Sequence, residues 1–189
     1  FSAITPMGRQ HENDREATAA DLKWLADPAE EPEPFGDGGT KMAWNTFNVV
    51  SIYPNGNPVM SDVNQRWVGD CCACAVIASM AYLYPRFVKH IIKDNMDKTY
   101  TVTMYDPKGK QISVGVGGDY FIGNSGDLGA LGGRNKEVTW ATILEKAMIK
   151  WNQIYQGSSN VGGIGTEYVS AIFTGDGESV GFGANALIA

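Results

Sequence analysis

Histidine, basic charge and long apolar runs are the scarce features of this sequence. Only His11 and His90 occur among its 189 residues, and neither lies near a cysteine, so local spacing excludes a Cys/His zinc cluster. Lys and Arg number 15 against 21 Asp and Glu, for a net charge of -6. The basic residues are scattered without interleaved aromatics, which excludes an electrostatic nucleic-acid surface. No apolar run reaches the length of a membrane-spanning helix, and no basic-then-apolar leader opens the chain. The first residue is Phe1 rather than Met, read here as the mark of an upstream segment removed. Glycine is plentiful, yet no Gly-Lys-Ser/Thr follows any glycine loop, which excludes a phosphate-binding P-loop. Cysteine is limited to Cys71, Cys72 and Cys74. A disulfide framework spreads its cysteines to staple distant segments, and neighbours reach disulfide geometry only with strain. At least one free thiol is therefore expected.

What is present suffices for a globular fold. With 43% hydrophobic and 11% aromatic residues, the chain can bury a core without metals or disulfides. Residues 1–40 stand apart as an N-terminal arm or pro-segment. Asp14 to Leu25 reads as a short helix with Leu22, Trp24 and Leu25 as its apolar contacts. The following stretch holds Pro28, Pro32 and Pro34 among acidic residues and reads as an extended linker. From residue 41 the pattern turns globular. Trp44, Phe47, Val49, Val50, Ile52 and Tyr53 form an apolar stretch that stops at Pro54-Asn55-Gly56-Asn57-Pro58, a loop signal. Cys72, Ala75, Val76, Ser79, Met80 and Leu83 recur at helical spacing, Pro85 ends that helix, and Arg86 to Lys93 forms a second one. Tyr100 to Tyr105 and Gln111 to Val116 alternate around Asp106-Pro107-Lys108-Gly109, a hairpin. Trp140, Leu144, Ala147, Met148, Trp151 and Tyr155 share one face of a long helix, and that stripe is core rather than a cofactor box. A last helix runs near Glu167 to Phe173. Residues 176–189 have no period and read as a tail.

The chemistry concentrates at Gln65-Arg66-Trp67-Val68-Gly69-Asp70-Cys71, followed at once by the apolar helix. Unpaired N–H groups and the helix dipole favour a thiolate at a helix N-terminus, and the thiolate is the nucleophile. Gly69 lets the loop approach that helix end closely. The Cys71 N–H would point at the oxygen of an attacked carbonyl, and Gln65 is the loop's candidate for a second oxyanion donor. The bland alternative is that all three cysteines are small packing residues, a role that suits Cys72 and Cys74.

These residues resemble a known family. Gly69-Asp70-Cys71, then Ala75-Val76-Ile77-Ala78-Ser79-Met80, resembles the calpain active-site segment, and Gln65 falls where calpains keep an oxyanion-hole glutamine. Trp140, Leu144-Glu145-Lys146-Ala147, Gly162-Gly163 and Thr174-Gly175 resemble a second calpain stretch in the same order. The resemblance spans about residues 44–175. It implies an α+β fold: the helical, cysteine-bearing first subdomain of a papain-like calpain core, with a small β-hairpin. It implies a cysteine-type endopeptidase acting on protein or peptide through a thioester, with Cys71 and Gln65 as catalytic residues. It also implies calcium, with Asp62, Asn55 and Asn57 of the loop and Glu137 as ligands. The family's His and Asn lie on a second subdomain, and neither His11 nor His90 matches. A processed partner chain is therefore expected beyond 176–189. Where calpains place a tryptophan after the nucleophile, this chain has Cys72. The rival expectation is an inactive subdomain serving as a calcium- or protein-binding module. Free thiols suit a reducing cytoplasm, and a secreted bacterial thiol protease fits equally.

Overall fold

A capping box starts the first helix. Thr18 Oγ1 accepts from the Asp21 N–H at 3.2 Å while the Asp21 carboxylate accepts from the Thr18 N–H at 2.8 Å. Helix α1 therefore runs Ala19–Ala26, starting later than the apolar pattern alone suggests, because the reciprocal cap sets its first turn. The computed structural model describes residues 14–37, 40–123 and 125–175. The first thirteen residues of the arm, with His11, and the tail 176–189 lie outside them.

The remaining elements give a mixed α/β architecture with small sheets. Strands β1 (Gly36–Asp37) and β2 (Thr40–Lys41) pair with each other, β3 (Ala43–Thr46) follows, and a single 3-10 turn spans Met60–Asp62. Helices α2 (Cys71–Leu83) and α3 (Pro85–Ile91) meet at a 112° bend. Pro85 sits at the first helical position of α3, where its missing N–H costs nothing. Strands β4 (Ile92–Asp94), β5 (Tyr100–Tyr105) and β6 (Gln111–Val116) form a three-stranded antiparallel sheet. The β5–β6 register pairs Tyr100 with Val116 and Tyr105 with Gln111. The Asp106 carboxylate closes the hairpin turn by accepting from the Lys108 and Lys110 N–H groups, and Gly109 takes φ +79°. Strand β7 (Asp119–Ile122) pairs with β3, which stacks Trp44 on Phe121 at 3.8 Å between ring centroids. Helices α4 (Trp140–Tyr155) and α5 (Thr166–Thr174) complete the order, and α5 stops at Gly175 with φ +75°. No single helix among the described residues is long and apolar enough to cross a membrane.

Helix α4 lies at the centre. Its stripe of Trp140, Leu144, Ala147, Met148 and Trp151 is buried as the helical spacing predicts, each such large side chain contributing about 1.5–3 kcal/mol. The opposite face is buried too, which the spacing does not predict. Lys146 is 2% and Lys150 0% exposed. The arm covers them: Lys146 Nζ pairs with Glu31 at 2.7 Å, and Lys150 Nζ donates to Asp27 O and Gly115 O, both at 2.8 Å. Both ammonium groups lie over aromatic faces, Lys146 on Trp44 and Lys150 on Trp24, at 4.7 and 4.9 Å from the centroids. The stretch that composition suggests is an extended linker is thus laid along the domain, with Pro32 buried. Its approach is close. A Cβ at Gly115 would lie 2.6 Å from Pro28 N.

Candidate active site

Cys71 is the first residue of α2, and its side chain is exposed. Two features of the chain put it there. The loop before it carries no helical spacing, and Asp70 takes a non-helical N-cap conformation, φ -108° and ψ 40°. Asp70 makes no side-chain cap bond. An N-cap aspartate ordinarily accepts from the second or third helical N–H. Here the carboxylate turns inward instead, so the first amides of α2 carry no side-chain cap. Donors and a dipole of that kind are what a developing oxyanion needs.

Its neighbours divide by environment. Cys74 is half-buried, and its thiol lies 3.5 Å from Asp70 Oδ1. Burial first, then the charges of Asp70 and Glu145, push the Cys74 thiol far up, so it stays protonated. Cys72 is also raised, by burial and then by the Cys71 thiol, with the carboxylate of Glu167 adding to it. No disulfide joins the three.

The loop before Cys71 is fastened on both sides. Asn64 N–H donates to Gly132 O at 3.0 Å, and Trp67 N–H to Gly129 O at 3.1 Å. On the other side, Gly163 N–H donates to Gly69 O at 3.2 Å. Gly163 turns with φ +77°, a conformation that glycine adopts without penalty. A cavity of about 320 Å³, lined by Asn152, Gln156, Asn160, Gly162, Gly163 and Glu167 among others, opens beside that turn. A second, of about 400 Å³, lies on the other flank of the loop, against Gln65, Trp67 and Lys136. Gln65 is exposed and spends one amide N–H on Val68 O at 2.9 Å. Its other N–H makes no hydrogen bond among the described residues.

Of the four residues expected to bind calcium, Asp62 and Asn55 are hydrogen-bonded to each other. Asp62 is 2% exposed and its carboxylate already accepts three donors. These are Asn55 Nδ2 at 2.9 Å, the Val59 N–H at 3.2 Å and the Trp140 indole at 2.7 Å. Asn55 therefore presents its donor, not its oxygen, to Asp62. Asn57 is exposed. The same loop holds a cation of its own, since Lys89 Nζ donates to Gly56 O at 2.8 Å. The Glu137 carboxylate lies against Gly133, with Oε2 buried and lacking a donor. No group of three His, Cys, Asp or Glu fit to hold a metal occurs among the described residues. Donors of the right kind are present, two of them bonded to one another, and no step below is derived through calcium.

Among the described residues the one imidazole is that of His90. His90 is exposed on α3 and makes no hydrogen bond to Cys71. The feature that the sequence pattern did not bring out is a buried carboxyl pair, Asp70 and Glu145, directly inside the N-terminal end of α2. A signal existed: Glu145 is ringed on α4 by Ala141, Thr142, Met148 and Ile149 at helical spacing, which puts it on a buried face. No family model matches the chain, and no curated protein matches it.

Proposed function

We propose that this chain carries the nucleophilic half of a calpain-like, papain-type cysteine endopeptidase. The observation that carries the reading is the placement of Cys71. It is an exposed thiol on the first turn of an apolar helix whose first amides carry no side-chain cap. In the proposed reaction Cys71 Sγ attacks the peptide carbonyl carbon, and the Cys71 N–H and the free N–H of Gln65 hold the oxyanion. The C–N bond breaks as the leaving amine takes a proton, which leaves a thioester on Cys71. Water then adds, the thioester opens, and the carboxylic product departs with the thiol restored. The proton carrier is a histidine oriented by an asparagine on a partner chain or subdomain, because an imidazole must accept the thiol proton and return it. Calcium is no part of the proposal.

A second reading, a non-enzymatic protein-binding module, is favoured by one observation: among the described residues no imidazole meets Cys71. One experiment separates the two. Cys71→Ala in the protein purified with its natural partners abolishes peptide-bond hydrolysis while circular dichroism stays that of the wild type. Undiminished hydrolysis in the variant removes Cys71 from the reaction.

A further inference from the structure

Asp70 and Glu145 are 0% and 1% exposed, and the proposed reaction uses neither. Each has one oxygen provided for: Asp70 Oδ1 faces the Cys74 thiol at 3.5 Å, and Glu145 Oε2 accepts the Leu131 N–H at 2.9 Å. The other oxygens, Asp70 Oδ2 and Glu145 Oε1, are buried without a donor. The two carboxyls lie within hydrogen-bonding reach of one another.

No cation relieves them among the described residues. The ion pairs there join Lys108 to Glu16, Lys136 to Asp127 and Lys146 to Glu31. Lys146, the next residue after Glu145, reaches away to Glu31 and Asp119 O. From α2 the groups facing the pair are the thiols of Cys74 and Cys72, and from the loop after β7 the Leu131 N–H. From α5, Glu167 faces Cys72 and adds a further negative charge. Two ionised carboxyls in that setting would leave two acceptors unmet and two like charges in contact, with nothing to offset them. One proton between them supplies the donor that both oxygens lack.

We propose that Asp70 and Glu145 share a single proton, Glu145 donating it to the Asp70 carboxylate. The pair is the latch that holds the first turn of α2 on α4 and so fixes where Cys71 stands. The latch itself is a matter of burial and geometry, while its bearing on catalysis rests on Cys71 being the nucleophile.

The direction of titration agrees. Burial pushes Asp70 up to about 6. Burial first, and then the Asp70 charge, push Glu145 well above the ordinary carboxylate range. The direction makes Glu145 the partner that holds the shared proton, with Asp70 accepting it. Carboxyls raised in the fold bind protons more tightly folded than unfolded. The stability they contribute is complete below the ordinary carboxylate values and lost as pH rises through the folded ones. Asp70 gives up its part near pH 6, and the latch fails above that, when Glu145 ionises. Beyond the upper transition the latched fraction falls about tenfold for each pH unit.

Infrared difference spectroscopy of the wild-type chain, titrated upward from pH 6, tests the shared proton. The expected result is a protonated-carboxyl carbonyl band present at pH 7, lost on a transition above it, and missing from Glu145→Gln. Absence of the band in wild type at pH 7 overturns the proposal without touching the role of Cys71. The positioning role is read from the pH profile of Cys71 alkylation, mapped by fragment mass spectrometry. The wild type should show an inflection that tracks the infrared transition, and Glu145→Gln, whose amide donates permanently, should lack it. A band without that inflection overturns the latch. If Glu145→Gln does not fold, the two wild-type titrations still decide by coinciding or failing to.

Discussion

Asp62→Ala is the perturbation whose size follows most directly from the geometry. The wild-type carboxylate anchors three donors, and one of them, the Trp140 indole N–H, belongs to a side chain with 0% exposure. Removing the acceptor leaves that N–H buried and unpaired, at about 1–3 kcal/mol, and forfeits a charge-assisted bond of similar size. Asn55 and the Val59 N–H lie nearer the surface, where water replaces part of the loss. The Thr139 hydroxyl bonds to the Asp62 backbone carbonyl, so it survives the change. The expected destabilisation is about 3–4 kcal/mol, a fall in Tm of roughly 6–15 °C for a chain of this size. Asp62→Asn keeps the shape and one acceptor, and should lose about half as much. Urea denaturation followed by circular dichroism reads both, and a cycle with Trp140→Phe should return a coupling of about 1.5–3 kcal/mol. The measurements are made with calcium and again with a chelator, and the same loss is expected in both. A loss below about 1 kcal/mol, or a coupling near zero, refutes the hydrogen-bond reasoning. A loss that vanishes in chelator shows that Asp62 acts through an ion.

Two further predictions concern the arm and the oxyanion. Burial lowers Lys150 from 10.5 to about 8, so the unfolded chain binds the proton more tightly between those values. The penalty is complete below about pH 8 and relieved as pH rises to 10.5. The stability of wild type relative to Lys150→Met should therefore climb over that window by up to about 3 kcal/mol, and a flat difference in thermal melts would show that the ammonium is well solvated. On the proposed reaction, Gln65→Ala should lower kcat/KM for peptide hydrolysis roughly a hundredfold, as loss of one oxyanion donor does. A change under threefold assigns Gln65 only its bond to Val68 O.

Local patterns were legible and long-range ones were not. The β5–β6 hairpin keeps the bounds that alternation and the Asp106 to Gly109 turn predict, because both signals lie within a few residues. Helix α2 opens at Cys71 as the onset of apolar spacing predicts. Strand β7 was hidden: its partner β3 lies some seventy residues upstream, and glycines on either side disguise four extended residues. The arm's acidic, proline-rich composition reads as a linker because the lysines that receive it are more than a hundred residues away. The same separation hid the burial of Lys146 and Lys150, which a one-sided stripe assigns to solvent. The position of Cys71 at the start of α2 was legible from local spacing, whereas the Asp70–Glu145 contact needed two segments seventy-five positions apart to be set side by side. What meets the loop of Asp62, Asn55 and Asn57 was hidden in the same way, since Trp140 and Lys89 reach it from distant segments.

The acyl-enzyme itself is the most direct object to measure. The protein isolated with its natural partners is mixed with a peptide ester, quenched in acid within its first turnovers, digested, and mapped by tandem mass spectrometry. The account predicts an acyl group in thioester linkage on Cys71, none on Cys72 or Cys74, and its disappearance when the mixture is left to turn over. An acyl group on either neighbour, or hydrolysis of the ester with Cys71 unmodified at every time, contradicts it.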